Sequence, residues 1–318
     1  MRKKFLRWLK EAALGAASVL AALTISTAEV SAEQAAAEQY RQMFRSGNFY
    51  VEYETWFEYQ LWGSTHKTTY GSQVIAGKNG NRVKYSSGLA SLVDNRLTMG
   101  FTTSLSRSKK LKKYPDSMYK NGNYYHFFQL DATAMLNVPN TVKSVASQNK
   151  KKPFALALPE DQLDSPTVNP EEQWDIIKRS LALPDELLIF YWDDPFFTNP
   201  IKQNAPYFNG SSKRTLDNVE YDCDQYILGI KTLAGTDIAQ VAYNALYSDG
   251  KLAMIQRYFL RDGKETLEYT MKIINITPQV PDTAFNIQQK INVYSASTGD
   301  MNDLLERLEL IETWGGKK

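Results

Sequence analysis

The sequence predicts an α+β protein that is mainly antiparallel β, a single curved sheet with a few helices to lay against it. Three observations predict it. Aromatic residues make up 12% of the 318, with 19 Tyr, 14 Phe and 6 Trp, and such side chains fit a pleated, half-buried surface. From Phe49 to Trp62 the chain alternates without a break, the pattern of a half-buried antiparallel strand. Further alternating runs are separated by Asn-Gly and Asp-Gly pairs, which readily take the positive φ of hairpin turns.

The N-terminus is set aside before any fold reasoning. Arg2, Lys3, Lys4, Arg7 and Lys10 precede an apolar stretch of small residues over 12–25. That stretch is too short to cross a hydrocarbon core of about 30 Å. Val30-Ser31-Ala32 then offers small residues at a cleavage site, and Ser26-Thr27-Ala28 a second one. Residues 1–32 thus read as a signal peptide, and the protein as exported to the periplasm or cell envelope of a bacterium. An uncleaved anchor is the competing reading, and no stable transmembrane anchor is expected.

Hydrophobic residues at 43% and charged residues at 23% are the mix of a soluble globular chain. Residues 1–32 hold five of the 37 basic and two of the 35 acidic residues. The remainder, 32 basic and 33 acidic, carries a formal charge of −1. A near-neutral chain gives no electrostatic case for nucleic acid. Cys223 is the only cysteine, so no internal disulfide is available and the core must hold the fold. Its Tyr221-Asp222-Cys223-Asp224 context points the thiol into the core.

Taken in order, residues 33–45 form an amphipathic helix, with Ala36, Tyr40, Met43 and Phe44 on one face and Gly47 at its C-cap. The long strand follows. One face carries Phe49, Val51, Tyr53, Thr55, Phe57, Tyr59 and Leu61, the other Tyr50, Glu52, Glu54, Trp56, Glu58, Gln60 and Trp62. At about 3.3 Å per residue it would run roughly 40 Å, and so long a strand must twist and curl.

Strands are expected at 68–76 and 81–86 around Asn79-Gly80, at 96–105, and at 124–130 after Asn121-Gly122. The stretch over 131–210 breaks the pattern, and an irregular helical insertion is read over about 105–213. Within it Asn169-Pro170-Glu171-Glu172 starts a helix running to about Leu183, and 185–192 forms a second, short one. Four strands follow, over 215–232, 238–247, 251–260 and 266–277. A last amphipathic helix, over about 300–314, is marked by Met301, Leu304, Leu305, Leu308 and Ile311. No second core is visible, so residues 33–318 read as one domain.

Motifs of chemistry are sparse. His66 and His126 are the only histidines, far apart and without acidic clusters, so neither a metal site nor a His-based triad is expected. There is no G-x-S-x-G, phosphate-cradling glycine loop or H-E-x-x-H. No catalytic residue and no cofactor is expected. Tyr191-Trp192-Asp193-Asp194-Pro195-Phe196-Phe197 reads either as a packed turn or as a glycosidase-like or sugar-platform site. Adjacent carboxylates splay apart, which favours the turn. Lys109-Lys110-Leu111-Lys112-Lys113 is either a solvated loop or a contact for anionic headgroups.

The apolar stripe remains. Phe49, Val51, Tyr53, Phe57, Tyr59, Met99, Phe101, Tyr269 and Met271 would share the inner side of the sheet. Either they line a space for an apolar ligand, or helices fill over them as a dry core.

The chain also resembles the LolA-like outer-membrane lipoprotein carriers and their lipoprotein-sorting relatives. The residues that carry the likeness are the long first strand after Ser46-Gly47-Asn48, residues 218–228, Ala245-Leu246-Tyr247-Ser248-Asp249-Gly250-Lys251, residues 268–275, and Val280-Pro281-Asp282-Thr283-Ala284-Phe285-Asn286-Ile287. The resemblance spans about 33–104 and 215–287. It implies a curved open β half-barrel covered on its concave face by helices, there holding lipid or lipoprotein acyl chains as a carrier. Envelope membrane proteins are further candidate partners. The alternatives are an envelope sensor or regulatory interaction module on the same fold and, less favoured, a glycan-active enzyme using Asp193 or Asp194. The stretch over 105–213 and the C-terminal helix depart from the usual carrier.

Overall fold

The computed structural model describes residues 32–61, 64–87, 110–128, 145, 148–149, 152–162, 180–197, 205–231, 237–261, 264–287 and 290–295. The residues of the expected signal peptide (all but Ala32), of the strand expected over 96–105, of most of the helix expected over 170–183 and of the expected C-terminal helix lie outside them.

The described residues form one open sheet of twelve strands in the order β12-β6-β5-β4-β3-β2-β1-β11-β10-β9-β8-β7. Every neighbouring pair is antiparallel except β12 (Asn292–Ser295) beside β6 (Phe154–Pro159), which is parallel. At the centre stands β1 (Phe49–Leu61), paired with β2 (Ser64–Lys78) on one side and β11 (Lys264–Thr277) on the other. The predicted alternation of β1 survives because both register shifts leave the extra residue on a partner strand, at Tyr70 of β2 and Ile274 of β11.

The turn chemistry works as read. Asn79 and Gly80 (φ 51° and 79°) join β2 to β3 (Asn81–Ser86). Asn121 and Gly122 (φ 52° and 75°) join β4 (Ser117–Lys120) to β5 (Asn123–Phe128). Asp249 and Gly250 (φ 51° and 71°) join β9 (Asp237–Ser248) to β10 (Lys251–Arg261). The single strand expected over 215–232 is corrected to the end of a hairpin. Asp217 and Asn218 (φ 50° and 64°) turn the chain between β7 (Tyr207–Leu216) and β8 (Val219–Lys231). The sequence of β7 is polar, Asn209-Gly210-Ser211-Ser212-Lys213, because it is an edge strand and mostly exposed. Edge strands facing water need no apolar alternation. The stretch over 105–213 is likewise more regular than expected, since besides β5, where a strand was expected, it supplies β4, β6 and most of β7 to the sheet.

One face of the sheet packs under helix α1 (Ala32–Arg45). Ala36, Ala37, Met43 and Phe44 are buried with Phe49, Val51, Tyr53, Ile75, Ile255 and Met271. Gly47 (φ 70°) caps α1, and its amide donates to the Phe44 carbonyl at 3.0 Å. Phe44 then meets Phe49 edge-on, with ring centroids 5.1 Å apart. Burying one such ring contributes about 1.5–3 kcal/mol. The 3-10 turn Asp185–Ile189 adds Leu187, Leu188 and Ile189 to the same cluster.

The opposite face has its own cluster at the β1–β6 end. Ala76, Val83, Met118, Phe127 and Ala155 pack there with Tyr50, Tyr85 and Tyr125, beneath Val280, Ala284, Phe285, Ile287 and Ile291. At the β8–β11 end the same face is polar: Asn244, Gln256 and Thr270 are buried side by side.

Candidate functional site

The predicted lining residues divide along β1. Phe49, Val51, Tyr53 and Met271 lie fully buried beneath α1 and the 3-10 turn. Farther along the same face Phe57 and Tyr269 are half-buried, their rings in edge contact at 5.0 Å. Tyr59 pairs with His66 through the backbone; its side chain, and all of Met99 and Phe101, lie outside the described residues.

Phe57 begins a transverse row that single-strand reading did not find. Phe57 stands opposite Tyr269, Tyr269 opposite Arg257, and Arg257 opposite Tyr243. Tyr243 stands opposite Tyr226, and Tyr226 opposite Phe208. Directly paired residues on antiparallel strands project to the same side, so six strands contribute one ladder of rings with a guanidinium in its middle. The cause missed was registry: an extra residue in β10 at Ala253 shifts the count from the Asp249-Gly250 turn by one and sets Arg257, rather than Gln256, opposite Tyr243.

Arg257 lies over the Tyr269 ring, 5.1 Å from its centroid. Its Nη1 donates to Glu186 Oε1 at 3.3 Å, and its Nε lies 3.5 Å from Glu268 Oε2. Glu186 is the buried acid of the 3-10 turn. Burial pushes its carboxyl up to about 7, the Arg257 charge opposes this, and Asp185 adds to the rise. Burial also pushes the Tyr243 phenol far up, with the Glu186 charge adding to it. Tyr226, raised to about 12 by burial, accepts from Arg41 Nη2 of α1 at 3.3 Å. The row is therefore rings around a single internally paired cation: Tyr243 and Tyr226 are sealed in the core, while Phe57, Tyr269 and Arg257 are half-buried and Phe208 is exposed.

The Asp193-Asp194 run resolves into separate roles. Asp193 is exposed. Asp194 is buried and binds Arg82 of β3, with Nη2 to Oδ1 at 2.9 Å and Nη1 to Oδ2 at 3.3 Å. The amide of Leu183 donates to Oδ2 at 2.8 Å and that of Phe196 to Oδ1 at 3.4 Å. Arg82 is sandwiched between the Phe49 and Phe196 rings, 4.8 and 4.5 Å from their centroids. The chain's own groups thus fill the Asp194 carboxylate.

His126 is buried with Ser117 Oγ 3.2 Å from its Nδ1, and burial lowers its pKa to about 4. Cys223 is buried, and burial raises its thiol. Among the described residues no group of three or more His, Cys, Asp or Glu could hold a metal ion. Among them, too, no helix is long and apolar enough to cross a membrane.

No family model matches the chain, and no curated protein matches it. Among solved structures, it is similar to a DUF1329 family protein from Desulfovibrio piger. Identity is 10% and the TM-score 0.21, over 80% of this chain and 97% of that one.

Proposed function

We propose that the protein is an exported cell-envelope carrier that shields an apolar ligand, lipid or lipoprotein acyl chains, on one face of its sheet and performs no chemistry. The proposal takes the finer form of the fold to be a LolA-like half-barrel, with that face concave and helix-covered. One observation carries it: the apolar face continues past the filled core, so Phe57 and Tyr269 are half-buried rings where a sealed core would end. Acyl chains gain about 0.8 kcal/mol per methylene buried against such a wall. The occupied Asp194 carboxylate speaks against the glycan-active alternative.

Delipidated protein incubated with bacterial envelope lipid extract, then analysed by native mass spectrometry, tests the reading. Adducts with acyl-bearing species are expected. Only apo protein across every lipid class would overturn it.

A second reading, an envelope sensor or regulatory module that binds another protein, is favoured by edge strand β7, where Tyr207 and Phe208 are 55% and 44% exposed. Stable co-purification of an envelope protein, lost in a Tyr207→Ser, Phe208→Ser variant, would select it.

A further inference from the structure

On the face of the sheet opposite Phe57, Tyr50 and Tyr85 floor a half-open cleft of about 230 Å³. We propose that this cleft is a second binding site, for a small amphiphilic monocarboxylate held with its apolar body on the tyrosines and its charge at Lys113. The site does not rest on the carrier reading.

Size comes first. The cleft falls below the roughly 300–1,000 Å³ typical of pockets for drug-sized ligands. It holds about eight water-sized groups at about 30 Å³ each, room for a chain of about that many atoms and too little for a diacyl lipid. Its walls are apolar: Val74 stands beside Tyr85 across β2 and β3, with Leu111, Pro281 and Ala284 around them.

The polar groups are few and distinct. The Tyr85 hydroxyl donates to the Ala284 carbonyl at 2.9 Å, which ties the cover to the sheet. Burial raises Tyr85 to about 12 and also raises Tyr50, with the Glu52 charge adding to the latter, so the floor is neutral. The Tyr50 hydroxyl has no side-chain or backbone hydrogen-bond partner among the described residues and is free to donate. At the mouth Lys112 is paired with Asp116 and lies over the Tyr114 ring. Lys113 is exposed, and the two lysines are the only charged side chains lining the cleft among the described residues. Glu52 and Asp116 lie near the tyrosines, outside the lining, which places an anion at the mouth and disfavours one at the floor. These lysines end the basic run of residues 109–113.

The probe is octanoate, titrated as a monomer and followed by ligand-observed NMR, beside octanol and octylammonium of equal chain length. Octanoate should bind most tightly and octylammonium least. Lys113→Glu should weaken octanoate about fivefold, the scale of one exposed charge pair, and narrow or invert the preference over octylammonium. Thr283→Trp, on the exposed rim, should abolish binding of all three with unchanged circular dichroism. Phe57→Ala, on the other face, should leave this binding unaltered. No octanoate binding, equal binding by the Lys113→Glu and Thr283→Trp proteins, or a preference for octylammonium in the parent would each overturn the proposal.

Discussion

Arg82 and Asp194, 112 residues apart, form a two-point ion pair that is buried on both sides and fastens the 181–197 segment to strand β3. Arg82 sits between two aromatic rings, and Asp194 accepts two backbone amides.

Removing one partner leaves a buried charge without its counterion, a loss of about 3–5 kcal/mol. Asp194→Ala should therefore lower the urea midpoint sharply. The double variant Arg82→Met, Asp194→Leu should recover most of that loss, because the desolvation penalty goes with the charges. A double variant no more stable than Asp194→Ala would refute this account.

Gly77 lies where α1 enters the sheet. A Cβ there would come within 2.7 Å of the Gly47 carbonyl oxygen and of the Phe49 ring. Gly77→Ala is overpacked against backbone, so thermal or urea unfolding should show a loss of about 1–3 kcal/mol. An unchanged midpoint would show that the α1–β1 corner yields freely.

Glu186 makes stability fall with rising pH. Its folded carboxyl titrates near 7 against an ordinary 4.5, so between those values the folded chain binds more protons than the unfolded one. Unfolding free energy then decreases across that window, by up to about 1 kcal/mol per pH unit. Glu186→Gln should flatten that slope in urea melts taken from pH 5 to 7.5. An unaltered slope would remove Glu186 as its source.

His126 acts with the opposite sign. Its folded value of about 4 lies below the ordinary 6.5, so the unfolded chain binds the extra proton in between and stability rises with pH there. His126→Gln should lose less stability than the parent between pH 6 and pH 4. The two windows overlap, so single variants are needed to separate them.

Position along β1 should decide what a charge does. Val51→Asp places a carboxylate in the sealed core and should prevent folding. Phe57→Asp, at a half-buried site, should leave a folded protein that retains fewer acyl adducts in native mass spectrometry. Equal retention would detach Phe57 from the proposed ligand face.

Much of the sheet was legible because its cause is local. The alternation from Phe49 to Trp62 and the pairs Asn79-Gly80, Asn121-Gly122 and Asp249-Gly250 determined strands and hairpins by themselves, since side-chain period and positive φ act within a few residues. Where local cues were weak the reading missed: β7 is polar, and Asp217-Asn218 turns without a glycine. Tertiary structure alone decided that β1 lies beside β11, more than 200 residues on, and that the stripe is sealed at Tyr53 yet half-open at Phe57. It alone brought Arg257 to Glu186 and Lys113 to Tyr50. Burial and charge pairing depend on which distant segments arrive at a surface, and periodicity along one strand carries no record of them.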